Sequence, residues 1–358
     1  MSALHQVIPV LDPADAVSGH TLQVQSLLRG LGIDSVIYAE RTHPSLAGKA
    51  RPNQELRGGA VLYQFAIGNH LADVLAASSF PLAIDYHNLT PPELFEPWDV
   101  GLLHGTTWGR AQLARLAGRC SLGLADSAFN ERDLLDLGYR HTEVAPIIVD
   151  LSDFDLELDE KTRRGLLARK ERGGADWLFV GRLVPSKAQH DVVKAFAVYR
   201  RHCDANARLW LVGGAASTRY EKAVHGLVTE LGLDDSVVHT GSVSHGALAA
   251  HYATADVFVT MSRHEGFCVP VLEAFHHDVP VVAVRAGALP DTIGDAGMLL
   301  ANRAPETAAL TVDRVVRDRE LRGALVAAGR RRLETFSVER TRAVMAGHLT
   351  SWLREVGS

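Results

Sequence analysis

Glu265-Gly266-Phe267-Cys268-Val269-Pro270-Val271-Leu272-Glu273, which follows the apolar run at 257–261, decides how this chain is read. The run is short, β-branched and unbroken, as expected of a strand buried on both faces. Pro270 suits the first position of a helix, where its missing N–H would be unsatisfied anyway. Glu265 then falls on the turn after a strand, and Glu273 one turn into the next helix. In an open α/β sheet that turn lies at the carboxyl edge, where ligands bind. A helix N-terminus favours anions, so carboxylates here suit neutral hydroxyls lying beside a bound phosphate. A sugar and a ribose both offer such vicinal hydroxyls.

Composition sets the wider frame. The 358 residues suggest two domains, each with its own core, and 47% hydrophobic content with 31 glycines fits an α/β enzyme. No run approaches the ~18 apolar residues of a membrane helix, and the N-terminus lacks a basic-then-apolar leader pattern. Cys120, Cys203 and Cys268 are odd in number and widely spaced. They support neither a disulfide framework nor a zinc site, which points to a reducing cytoplasm. The net charge of −5 hides an asymmetry: residues 1–168 carry 13 Lys/Arg against 21 Asp/Glu, and residues 169–358 carry 24 against 21. The acidic half argues against nucleic acid and anionic lipid as partners, and the basic half suits a phosphorylated ligand.

Along the chain, apolar runs predict strands at 5–10, 35–39, 60–65, 81–85, 121–125 and 143–148, with helices at 21–31 and 98–117. Ser18-Gly19-His20 is placed at a helix N-terminus, where Gly19 lets a ligand approach the backbone. His87 is placed at a strand's carboxyl end, ahead of Pro91-Pro92, and Asp126-Ser127 caps a helix from about Phe129. Residues 150–160 read as an acidic linker. Within it Asp153 and Asp155 have the spacing of a metal-binding pair, but solvated charge is the better reading there. The alternation then restarts, with strands at 177–180, 208–212, 237–240, 257–261 and 280–284, helices at 190–201, 220–231 and from His245, and a last helix at 338–356. Gly181-Arg182 to Lys187 fall on one strand-to-helix loop, so both cations reach one phosphate pair. The pattern predicts two Rossmann-like domains facing a cleft: residues 1–160, residues 161–337, and a C-terminal helix at 338–358 crossing back to the first.

Five signatures in order carry a resemblance: Gly181-Arg182 with Lys187, Gly213-Gly214, Gly241-Ser242-Val243, Glu265-Gly266-Phe267 with Glu273, and Gly287-Ala288-Leu289-Pro290. Over about 177–300 the chain resembles the donor domain of family-4 retaining glycosyltransferases with the GT-B fold. The likeness across residues 1–150 is looser. It implies hexosyl transfer from a nucleotide sugar, UDP-sugar favoured and GDP-mannose the second candidate, to a glycan, lipid-linked or small-molecule acceptor.

By that resemblance Arg182 and Lys187 hold the diphosphate, Glu273 the ribose and Glu265 the transferred sugar. The backbone at Gly19, Gly181, Gly213, Val243, Gly266, Phe267, Cys268 and Val269 lines the donor, and His87 meets the sugar from the first domain. It implies no cofactor and no metal, because a guanidinium, an ammonium and helix N-termini supply the charge. Attack from the front face, with the leaving phosphate oxygen taking the acceptor proton, needs no carboxylate nucleophile. It also implies a cytoplasmic enzyme held loosely at a membrane through its acceptor. The family usually has glycine at position 268 and a second glycine at position 20. Two rivals share the scaffold: a nucleotide-sugar epimerase or hydrolase, and a non-catalytic nucleotide-sugar sensor. A dinucleotide dehydrogenase is disfavoured, since no Gly-x-Gly-x-x-Gly follows either first strand.

Overall fold

A computed structural model describes residues 3–13, 15–152, 154 and 158–357. The chain divides into two compact units. One comprises Met1–Glu93, Gly101–Val149 and Phe336–Ser358, and the other Leu94–Val100 and Asp150–Thr335.

The first unit is a parallel sheet of β1 (Leu4–Leu11), β2 (Ile37–Thr42), β3 (Arg51–Pro52), β4 (Ala60–Phe65), β5 (Leu82–Tyr86), β6 (Leu122–Ala125) and β7 (Thr142–Val144). Its order is β3-β2-β1-β4-β5-β6-β7. The second holds β8 (Asp176–Val180), β9 (Arg208–Val212), β10 (Val237–Gly241), β11 (Val257–Thr260), β12 (Val281–Val284) and β13 (Gly297–Leu300). These run β10-β9-β8-β11-β12-β13. Every residue of β4, β5, β9, β11 and β12 is buried. That is why those segments are mostly apolar on both faces rather than alternating, with Gln64, Asp85 and Arg208 among the buried polar exceptions. Both sheets reverse direction between their first and fourth strands, the position where doubly wound folds bind ligands.

The helix Val338–Val356 belongs to the first unit. Thr341, Met345, Leu349, Trp352 and Leu353 form its buried stripe. The four apolar ones pack with Leu4, Val24, Leu28, Leu62 and Leu124 in one cluster. Trp352 Nε1 donates to Ser121 Oγ at 2.8 Å.

Several boundaries differ from the sequence reading. The first helix is Ala16–Gly30, because Asp15 caps it by accepting the Ser18 N–H. Gly19 is therefore its fourth residue, and its N–H already donates to the Asp15 carbonyl. The long helix starts at Val100, not Trp98. Trp98 instead packs against the core of the second unit, edge-on to Tyr220 with centroids 5.2 Å apart. Asp150 onward belongs to the second unit. There Asp159 caps a helix, Glu160–Lys170, that the linker reading did not include. Asp153 and Asp155 lie outside the described residues. No helix among the described residues is long and apolar enough to cross a membrane.

Candidate active site

The site is assembled from the turns that follow β8 and β11, neighbours at the reversal point of the second sheet. After β8 the chain runs through Gly181 and Arg182 into a 3-10 turn, Pro185–Lys187, and then the helix Gln189–His202. The Arg182 carbonyl accepts from Gln189 Nε2 at 2.8 Å, and its side chain lies at the exposed surface. Gly213, at φ +141, passes so close that an added Cβ would sit 2.3 Å from the Gly181 carbonyl oxygen. Only glycine fits that crossing. The turn Gly241–Ser244 approaches the same place: Gly213 N donates to Gly241 O at 3.0 Å, and Val243 is half-buried.

Beyond β11, Glu265 is 4% exposed. Its Oε2 accepts from Lys187 Nζ at 2.5 Å, and its Oε1 from Ser262 Oγ at 2.7 Å. The two turns are also joined through backbone, with Arg263 N donating to Ser186 O at 2.8 Å. Arg303 clamps the second turn by donating to the Met261 and Ser262 carbonyls at 3.1 and 2.8 Å. Gly287, at φ +53, lies against Glu265 so tightly that a Cβ would come 2.2 Å from its carbonyl oxygen. Ala288 N donates to that same oxygen at 2.9 Å. Gly287 was legible as part of a motif, but its job of seating Glu265 was not. Ser262 and Arg303 carried no sequence signal.

The helix after this turn is Val269–His276, so Pro270 is its second residue rather than its first. Cys268 precedes it at φ +77 and ψ +69, with no side-chain cap. The left-handed value explains why glycine is usual here, since a Cβ strains that conformation. Burial, and then the nearby Glu265 carboxylate, push the Cys268 thiol well up, so it stays protonated. Phe267 is buried, and its carbonyl accepts from Thr292 Oγ1 at 2.6 Å. Glu273 keeps part of its surface accessible, yet it is enclosed closely enough that desolvation raises its carboxyl to about 7. A hydrogen bond from Tyr252 OH at 2.7 Å acts in the opposite direction.

In the first unit His87 does stand just beyond β5, its N–H donating to the Phe65 carbonyl. Its side chain is only 2% exposed. Nδ1 lies 3.1 Å from both Asp126 oxygens, and Nε2 lies 2.5 Å from Gln64 Oε1. Burial pulls its pKa down, but the Asp126 and Asp85 carboxylates outweigh that and raise it to about 9. Asp85 is fully buried and would be pushed up by desolvation, yet the imidazoles of His87 and His20 hold it below its usual range. His20 Nδ1 accepts the Ile148 N–H at 2.9 Å, leaving Nε2 to donate to Asp85 Oδ2 at 2.9 Å. Both nitrogens of both rings are therefore engaged. Asp126, expected to share a helix cap with Ser127, serves His87 instead, and Ser127 alone caps the helix Ala128–Asp136.

Residues 168–332 match the family model of group 1 glycosyl transferases. Over those residues the chain is similar to the group 1 glycosyl transferases. It is 31% identical over 244 residues to a D-inositol 3-phosphate glycosyltransferase of Salinispora arenicola, covering 65% of this chain and 54% of that protein. It is 35% identical over 160 residues to a GDP-mannose-dependent alpha-(1-6)-phosphatidylinositol monomannoside mannosyltransferase of Mycobacterium tuberculosis, covering 42% and 40%. The chain thus spans about half the length of the curated relatives it matches. Among solved structures, HepE of Anabaena in complex with UDP-glucose superposes with a TM-score of 0.77 at 18% identity, covering 98% of this chain and all of that one. Sucrose-phosphate synthase of Thermosynechococcus elongatus gives 0.76 at 19% identity, covering 99% and 100%. The fold shared with these structures is GT-B.

Proposed function

We propose that this chain is a retaining, metal-independent hexosyltransferase of the group 1 glycosyl transferases. Its donor is a nucleotide sugar, UDP-sugar first and GDP-mannose second, and its acceptor a hydroxyl of a glycan, lipid-linked or small molecule. One observation carries the reading. Lys187 and Glu265, on separate turns at the reversal point of the donor sheet, meet at 2.5 Å with Glu265 enclosed. An ion pair so placed holds an ammonium and a carboxylate side by side before any ligand arrives.

On donor binding, Lys187 and the exposed Arg182 take the diphosphate, whose charge grows as the glycosidic bond breaks. Cations fixed beforehand stabilise that charge without reorganising. Glu265 has lone pairs to spare beyond its bonds to Lys187 and Ser262, and these accept hydroxyls of the transferred sugar. The start of the helix at Cys268 and Val269, beside Gly266 and Phe267, presents backbone donors to the sugar and phosphates. Glu273 takes the ribose hydroxyls, and Gly181, Gly213 and Val243 line the base and phosphate side. Gly19, exposed and with open space around it, serves by close approach, since its N–H is already used. His87 acts by holding its sheet edge in place. The GDP-mannose candidate rests on the mycobacterial relative, and the UDP-sugar candidate on the Anabaena structure.

The test is a thermal-shift panel of UDP, GDP and ADP with their sugar conjugates, run in EDTA. A ligand at ~100 times its dissociation constant adds about 2.7 kcal/mol. One base should stabilise the protein strongly, and its bare diphosphate should keep most of the shift. A shift that appears only with magnesium or manganese would contradict the metal-independent reading. No shift with any of them would refute the donor site. Product analysis without acceptor then separates transfer from hydrolysis or epimerisation.

A further inference from the structure

A second cluster in the donor unit lies outside the proposed chemistry. Glu221 and His225 stand four residues apart on the helix Thr218–Glu230, which brings their side chains to one face. His239 comes to meet them from β10. His225 Nε2 lies 3.3 Å from His239 Nδ1, and Glu221 Oε1 lies 3.6 Å from that same nitrogen. All three ligand atoms fall within 4.8 Å of one another. A tetrahedral zinc with ligands at ~2.0–2.1 Å places neighbouring donor atoms roughly 3.3–3.5 Å apart. Two of the three donor separations are therefore already close to the edges of that coordination polyhedron.

The surroundings agree. His239 Nε2 donates to the Gly213 carbonyl at 2.9 Å, which leaves the Nδ1 lone pair facing His225 and Glu221. A histidine whose second nitrogen is tied to a carbonyl, fixing tautomer and ring, is the usual form of a metal ligand. His225 is exposed while Glu221 and His239 are half-buried, so an ion can enter and keep a solvent position. The same residue types at His20, Asp85 and His87 also approach one another, but there His20 Nδ1 takes the Ile148 N–H and both His87 nitrogens are engaged. That cluster has no ring lone pair left to give.

We propose that Glu221, His225 and His239 form a binding site for a divalent transition cation of the zinc class, with two imidazoles, one carboxylate and a solvent position. It ties the helix to β10 and, through Gly213, to the turn that crosses Gly181. The site is structural and takes no part in the transfer reaction, so it stands whether or not the donor reading does.

The experiment uses the full chain without a polyhistidine tag, stripped with EDTA, exchanged into buffer and titrated with zinc chloride in a calorimeter. One saturable equivalent is expected, together with a rise in melting temperature. His225→Ala removes an exposed ligand and should weaken that equivalent by roughly tenfold or more; Glu221→Gln should do the same, while Lys222→Ala leaves it unchanged. Cobalt(II) in place of zinc should give the visible absorption of a low-coordinate site in the wild type and lose it in His225→Ala. Absence of a saturable equivalent would mean that the two rings merely share a hydrogen bond, and the proposal would fall. It would fall equally if His225→Ala and Glu221→Gln bound zinc as the wild type does.

Discussion

The carboxyl edges of the two sheets share one strand order and one reversal point, yet they treat their polar groups in opposite ways. At the first edge His87 is bonded to Asp126 and Gln64, His20 to Asp85 and the Ile148 N–H, and Gln64 on to Gln6 at 3.0 Å. The network engages these groups except Asp85 Oδ1, which is buried without a hydrogen-bond partner among the described residues. At the second edge a half-exposed lysine leans on an enclosed glutamate, an arginine lies at the surface, and a helix begins without a side-chain cap. The same topology therefore leaves the polar groups of the two edges differently engaged. What separates the edges is how far the side chains have already engaged one another.

The largest effect should come from breaking the first edge. His87→Ala removes the cation of a buried pair, leaving Asp126 and Asp85 without it, which costs about 3–5 kcal/mol. Chemical denaturation would measure the loss. Because the folded pKa of His87 is raised to about 9 from 6.5, its contribution is fully present below pH 6.5 and disappears as pH rises through 9. A His87→Gln variant should lose that pH dependence, and a wild-type slope retained in the variant would show that the proton sits elsewhere.

Arg182→Ala tests the second edge and should give the reverse pattern. Turnover should fall by roughly 10²–10³-fold, the scale of one lost transition-state donor, while stability changes by no more than about 0.5 kcal/mol. A stability loss comparable to that of His87→Ala, with turnover intact, would erase the distinction between the edges.

Glu273→Gln comes next. A carboxylate gripping ribose hydroxyls should weaken nucleoside diphosphate by about 1.5–3 kcal/mol when its charge is removed. With the carboxyl raised to about 7, wild-type affinity should strengthen as pH climbs through 7, while the variant stays flat in titration calorimetry. Stability should move the other way. The folded group keeps its proton to higher pH than the unfolded one, so stability falls from about pH 4.5 to 7 and then levels off.

The smallest effect is expected at Cys268. Glycine there relieves about 1 kcal/mol of left-handed strain. The lost thiol burial and the extra freedom of unfolded glycine offset that, leaving a net change within about 1 kcal/mol. Cys268→Val, with a branched Cβ at φ +77, should cost about 1–3 kcal/mol. Equal melting temperatures for the three proteins would mean that this backbone is not strained.

How much of this was legible follows the same division. Glycine turns and unbroken apolar runs mark the second sheet, so β9 was read to the residue and Glu265 and Lys187 were placed on their proper turns. The signal there is local, because each turn contains both its strand's end and its helix's start. The first edge gave no such signal. Gln64, Asp85 and Asp126 lie on or just after three different strands, and only the parallel register, with Gln64 opposite Asp85 and Asp85 opposite Leu124, brings them to His87. Trp98 was misplaced for a related reason: its partner Tyr220 lies in the other half of the chain. The last helix is observed at its expected position, Val338–Val356, whereas the cap at Asp15, which moves Gly19 into a helix, depends on a single side-chain bond.

That C-terminal helix sets a timetable for synthesis. Met345, Leu349, Trp352 and Leu353 fill a cluster otherwise built from the first 150 residues, so the first unit cannot close until its last helix leaves the ribosome. Residues 150–335 are made in between, and at ~5–20 residues per second the gap lasts on the order of ten to forty seconds. The second unit, whose early segment Leu94–Val100 is already in hand, can finish sooner. Here the earlier-made unit is the later to fold, carrying an open apolar groove while residues 150–335 are made.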